Sequence, residues 1–201
     1  MKSKNLQHHL EIAGFVGLSV SLAIIGFYLS GRYLLPVITG DSGIVQEAPA
    51  AVPGQSILGH RAPDFSLPDL SGNRTTLAES YGVPVIVTFW AAGNQDSADQ
   101  VKILDDYRVN EAEQAQLVDI VAIDSLEDPS IVMSFMRRGG YNIDVLTDQF
   151  GAAGSQYGVK SLPTTYFISK TGVVEDVSAK LLSESDLTEK VDNLLKQNAV
   201  Q

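Results

Sequence analysis

Apolar positions fall into three regimes along the chain. Residues 12–31 (IAGFVGLSVSLAIIGFYLSG) carry no charge between Glu11 and Arg32; residues 34–56 follow neither a helical nor a strand period; from Ile57 onward, short apolar runs alternate with helical patterns. In this third regime, PDFSLPDLSGNRTTL reads as two short strands around a Ser71-Gly72-Asn73 turn. VPVIVTF (83–89) is a nearly continuous apolar run rich in β-branched residues, the pattern of a strand covered on both faces, and it is expected at the centre of a sheet. Asp96 to about Gln114 is polar, with Val101, Leu104 and Tyr107 on one helical face, and LVDIVAI (117–123) is a second buried strand, so the stretch predicts a β-α-β unit. A helix from Pro129 to Arg138 follows, closed by Gly139-Gly140, then a short strand near 143–146 and a helical segment around 150–157. TTYFIS (164–169) and Val173 to Ser178 form a hairpin across Lys170-Thr171-Gly172. The last helix starts at Ser183, with Asp186 three residues on and Leu187, Val191, Leu194 and Leu195 along one face.

The uncharged run has the length of one bilayer crossing. Ten of its twenty residues are Ile, Val, Leu or Phe, and at roughly 0.3–0.6 kcal/mol each on the insertion scale they outweigh its glycines and serines. The run exceeds a usual signal-peptide core, and the nearest A-x-A pattern, Ala48-Pro49-Ala50, lies well beyond it, so a retained anchor over residues 12–33 is expected. Lys2 and Lys4 precede it and Tyr28 and Tyr33 suit the far interface. That bias puts residues 1–11 in the cytoplasm and the rest outside the cell membrane. Residues 34–56, rich in Pro, Gly and Ala, read as a flexible linker to a domain over 57–201.

Composition narrows the chemistry. The 201 residues include no cysteine, 14 Lys+Arg and 24 Asp+Glu, and the net charge of -10 falls entirely on the domain. Such acidity argues against nucleic acid as a partner. Without cysteine the chain has no disulfide, thiolate nucleophile or cysteine metal site, and the three histidines (His8, His9, His60) are too few for a histidine cluster; no metal or cofactor is expected.

Three motifs then carry a resemblance: APDFSLPDLSG (62–72), VPVIVTFWA (83–91) and YGVKSLPTTYFI (157–168). In order and spacing they resemble the redoxin branch of the thioredoxin-like fold. With an anchor and linker in front, the chain is similar to the membrane-bound thiol-disulfide oxidoreductases of the TlpA/ResA type. The resemblance covers Ile57 to the C-terminus. It implies an α/β domain with a central mixed sheet flanked by helices. It also implies a W-C-x-x-C site after the F-W-A strand, where a helix N-terminus lowers a thiolate pKa. Here that stretch is FWAAGNQDSADQ, and the two cysteine positions fall on Asn94 and Ser97. Neither replaces a thiolate, and an ordinary helix start, with Asn94 or Asp96 as N-cap, is the expected role.

Among other acidic residues, Asp124, Glu127 and Asp128 cluster after the second strand. Glu127 matches a glutamate that the family places near its thiols, and helix capping at Pro129 is the expected role here. Asp144 and Asp148 are expected as solvated turn residues. Leu162-Pro163-Thr164 matches the loop in which the family holds a cis proline and offers the preceding backbone to an extended peptide, a recognition that needs no sulfur. Trp90, Leu162, Pro163 and Thr164 are therefore the candidate peptide-binding residues, with partial core burial of Trp90 and a purely structural use of the proline in the turn at Thr164 as equal alternatives. The function expected is a membrane-tethered thioredoxin-like module that binds a protein or extended peptide in the cell envelope. The alternatives are a thiol-disulfide oxidoreductase using a partner's cysteines and a purely structural envelope domain.

Overall fold

The computed structural model describes residues 57–200. The cytoplasmic N-terminus, the anchor over 12–33 and the linker over 34–56 lie outside the described residues. Among the described residues no helix is long and apolar enough to cross a membrane.

Alternation of side chains along the strands sets the architecture. In β3 (Val85–Trp90) every residue is buried. Val85, Val87 and Phe89 point to one face while Ile86 and Trp90 point to the other, each joining a separate apolar cluster. A strand buried on both faces must sit inside the sheet, and β3 is the middle one of five. On one side of it lie β4 (Asp119–Ser125) and β5 (Asp144–Asp148), both parallel; on the other lie β6 (Thr164–Ile168) and β7 (Val174–Ser178), antiparallel. The expected β-α-β unit is β3, helix α1 (Gln95–Asn110) and β4. The helix ends at Asn110, four residues before its expected end, and Ala112–Ala115 forms a separate turn, α2.

Helices α1, α3 (Pro129–Gly139) and α5 (Glu184–Val200) supply Val101, Leu104, Val132, Met136, Leu187 and Val191 to the cluster that contains Ile86 and Trp90. The opposite face is closed by Phe65, Leu77, Ala153 and Tyr157, the last two from the short helix α4 (Ala152–Tyr157). Tyr157 packs 5.1 Å, centroid to centroid, from both Phe89 and Tyr166. Between the layers Thr88 and Thr165, opposite each other on β3 and β6, pair their hydroxyls at 3.0 Å, which satisfies two polar groups that burial would otherwise leave bare.

The helix ends follow local chemistry. Asp128 caps α3 by accepting from the Ser130 amide at 2.8 Å, with Pro129 at its first position. Gly140, at φ 67°, ends α3 in the left-handed region. Ser183 Oγ accepts from the Asp186 amide at 3.1 Å at the start of α5.

Both sheet edges are covered in part. The β1–β2 hairpin (Ser66–Pro68 and Arg74–Thr76) bridges to β5 through Asp69 and Leu146, and the chain at Arg61 bridges to Val173 beside β7. Asp148 departs from expectation. Its side chain is buried, not solvated, and it accepts from the Ala152 and Gly154 amides at 2.9 Å each, capping α4 where Gly151 has no side chain for the purpose.

Candidate functional site

The site lies where β3 leaves the sheet. After Trp90 the chain turns through Ala91–Gly93, and Asn94 opens α1 from an extended conformation (φ −109°, ψ 125°). Its side-chain oxygen accepts from the Ser97 amide at 2.9 Å. Asn94 and Ser97, the two positions expected from the motif, are therefore linked to each other, side chain to backbone, as a helix cap. Asn94 is exposed and Ser97 fully buried, and Ser97 Oγ has no hydrogen-bond partner among the described residues. The expected role of Asn94 as N-cap is the one observed.

The turn before the cap is held from the neighbouring strand. Glu127 Oε2 accepts from the Ala92 amide at 2.5 Å and Oε1 from the Gly93 amide at 2.9 Å. Capping of α3 falls to Asp128, so Glu127 acts as a clamp on the former active-site turn. Asp124, at the end of β4 and opposite Trp90 in register, is buried with neither carboxyl oxygen bonded among the described residues. Burial, with the Glu127 carboxylate beside it, pushes the Asp124 acid up to about 8. At neutral pH it is a protonated acid inside the sheet end. The sequence showed the acidic cluster but not its division of labour. The one available signal was the position of Asp124 directly after the apolar run Ile120-Val121-Ala122-Ile123, one residue beyond the strand as read from the sequence.

Leu162-Pro163 is the cis peptide bond in the described residues, as the loop motif implied. Thr164, one residue on, pairs with Phe89, so the cis-proline loop emerges beside the Ala91–Asn94 turn. Leu162 is half-buried, Pro163 and Thr164 are buried, and Thr164 Oγ1 donates to the Ser161 carbonyl at 2.7 Å. Among the described residues neither the N–H nor the C=O of Leu162 is engaged by another backbone group. A groove of about 380 Å³ lined by Ile57, Leu58, Val159, Ser161, Thr164 and Val177 adjoins the loop.

Of the four candidate peptide-binding residues, Trp90 does not face that loop's surface. Its ring is completely buried, 5.2 Å from the Phe135 ring, because strand alternation aims residue 90 into the helix-covered layer with Ile86. Only Leu162 presents both accessible side-chain surface and open main chain, while Pro163 and Thr164 shape the turn that holds it.

The sequence profile of the AhpC/TSA family matches residues 58–177. The thiol-disulfide oxidoreductase ResA of Bacillus subtilis is 31% identical over 140 residues, 69% of this chain and 75% of the relative. The thioredoxin-like protein YneN of the same organism is 26% identical over 134 residues, 67% of this chain and 78% of the relative. In three dimensions the domain is similar to a thiol:disulfide interchange protein, DsbE, from Chlorobium tepidum, with a TM-score of 0.62 and 22% identity over 72% of this chain and 99% of that one; this likeness speaks to the fold alone. With a family match spanning more than half its length, a thioredoxin-like mixed sheet and no cysteine at the positions of the family's redox pair, the chain belongs to the AhpC/TSA family as a cysteine-less, thioredoxin-like redoxin domain.

Proposed function

We propose that the protein is a non-redox module, tethered by residues 12–33 to the cell membrane with its domain outside, that binds an extended segment of another protein at the Leu162-Pro163-Thr164 loop. The observation that carries this reading is the contrast between two neighbouring loops. Asn94 and Ser97 are spent on a helix cap and hold no nucleophile, whereas the cis-proline loop keeps its turn and leaves the Leu162 main chain open near a groove of mixed apolar and polar lining. Recognition through main-chain pairing needs the second loop and not the first.

The test is photo-crosslinking of the full chain in its membrane, with a photo-reactive residue in place of Leu162 and, as control, in place of the exposed Val109. A polypeptide crosslinked from position 162 and not from 109, and lost on Pro163→Ala, supports the proposal; equal labelling from both positions refutes it. Protease added to intact spheroplasts is expected to remove the domain. Protection until the membrane is opened would reverse the orientation.

A further inference from the structure

The three parallel strands β3, β4 and β5 end on one side of the sheet, and the loops that follow them are knit together. Glu127 of the second loop accepts from the Ala92 and Gly93 amides of the first. The Leu126 amide donates to the Asp148 carbonyl at 3.2 Å, and Leu126 lies over the third loop so closely that a Cβ on Gly151 would stand 2.9 Å from its Cδ2. On this joined surface two large apolar side chains face solvent: Phe150 is 89% exposed and Leu126 71%. Leu126 is also the one non-glycine residue at positive φ (67°) among the described residues, a conformation disfavoured for a leucine, and the fold uses it to turn the side chain outward. Exposed leucines are ordinary singly. Two on adjoining loops, one held in a disfavoured backbone state, call for a counterpart.

Charge indicates what that counterpart is. Glu127 and Asp128 follow Leu126 directly, and residues 89–101, 124–136 and 147–159, which contain the three loops and the helix starts behind them, include no Lys, Arg or His. An anionic or purely apolar surface would meet uncompensated carboxylates there, whereas a cationic one would be drawn in. We infer that the Leu126–Phe150 surface docks a protein segment in which an apolar side chain is flanked by lysine or arginine. The surface lies across β3 from the cis-proline loop, since β4 and β5 are on one side of β3 and β6 on the other. The inference therefore stands apart from the function proposed above.

The experiment is titration of the full chain in detergent with the synthetic peptide Gly-Lys-Lys-Phe-Leu-Arg-Lys-Gly and with its charge-reversed analogue Gly-Glu-Glu-Phe-Leu-Glu-Glu-Gly, followed by calorimetry. The cationic peptide is expected to bind at least about tenfold tighter than the acidic one and to weaken as salt is raised. Leu126→Gly combined with Phe150→Ser is expected to abolish that preference while leaving the melting temperature equal or higher, because glycine accepts the positive φ that leucine resists. Val109→Ser, at an exposed position near the other end of α1, is expected to leave it intact. Equal affinity for the two peptides, unchanged binding by the double variant, or a lowered melting temperature showing that Leu126 is structural would each overturn the inference. So would sedimentation showing that the two residues hold a dimer of this chain.

Discussion

Replacing Asp124 by asparagine isolates the buried acid at the end of β4. In the folded chain the acid holds its proton up to about pH 8, whereas in the unfolded chain it releases it near its ordinary value of 3.8. The folded state therefore binds more protons across that window, and stability falls as pH rises through it, fully retained below the unfolded value and lost by the folded one. At about 1.4 kcal/mol per unit the upper bound over the window is about 6 kcal/mol. Asp124 sits at the end of its strand, where solvent and relaxation moderate such an effect, so a realised change of about 2–3 kcal/mol is expected. Asparagine preserves the shape and cannot ionise; its amide, like the protonated acid, lacks a partner and gains nothing by itself. The assay is urea unfolding of wild type and Asp124→Asn in the same detergent at pH 4, 6 and 8. The two are expected to be nearly equal at pH 4, with the variant ahead by a margin that grows to about 2–3 kcal/mol at pH 8. Comparing the pair cancels the surface carboxylates Asp69 and Asp128, whose acids are lowered by their hydrogen bonds and favour the opposite trend. A difference that does not change with pH would refute the protonated-acid assignment.

Two further predictions concern the cap. Asn94→Ala removes the acceptor for the Ser97 amide and is expected to lower stability by about 1 kcal/mol in the same assay, while Asn94→Asp retains it. Wild type is expected to show no insulin reduction above buffer, whereas Asn94→Cys/Ser97→Cys is expected to form an internal disulfide, since residues three apart at a helix start meet the Cα separation of roughly 4.4–6.8 Å; two thiols that mass spectrometry shows cannot be oxidised to each other would place the family's cysteine positions elsewhere.

The sequence revealed the strands and the central place of β3 because a run buried on both faces has no polar alternation to mislead it. The cis bond at Leu162-Pro163 was legible only through the motif, since nothing in the apolar pattern distinguishes it. Asp148 and Glu127 differ from their sequence reading for a common reason. Each sits at or just past a strand's end, where the period-2 rule stops and tertiary neighbours decide which way a side chain turns. Trp90 takes the buried of its two alternatives because it keeps the strand's phase, and Asp148 turns inward to meet the bare amides of α4. Leu126 had no signal at all, because a positive φ is a property of three loops meeting and leaves no trace in a leucine's own neighbours.

The start of α1 is built from oxygen and nitrogen groups alone in a chain that has no cysteine. A reactive thiolate at a helix N-terminus depends on amide hydrogens that are free to face it. Here the Ser97 amide is taken by the Asn94 side chain, and those of Ala92 and Gly93 by the carboxylate of Glu127. The Ser97 amide at the helix start and the two amides of the preceding turn are satisfied by oxygen within the chain, and Asp96 occupies the first turn where a second anion would be unwelcome. Cysteine restored at position 94 would also delete the cap that now orders the turn, so its thiolate would compete with Glu127 and Asp96 for the positive end of the helix. Asn94 and Ser97 thus serve the start of α1 as cap and capped amide, which is a structural use of both positions.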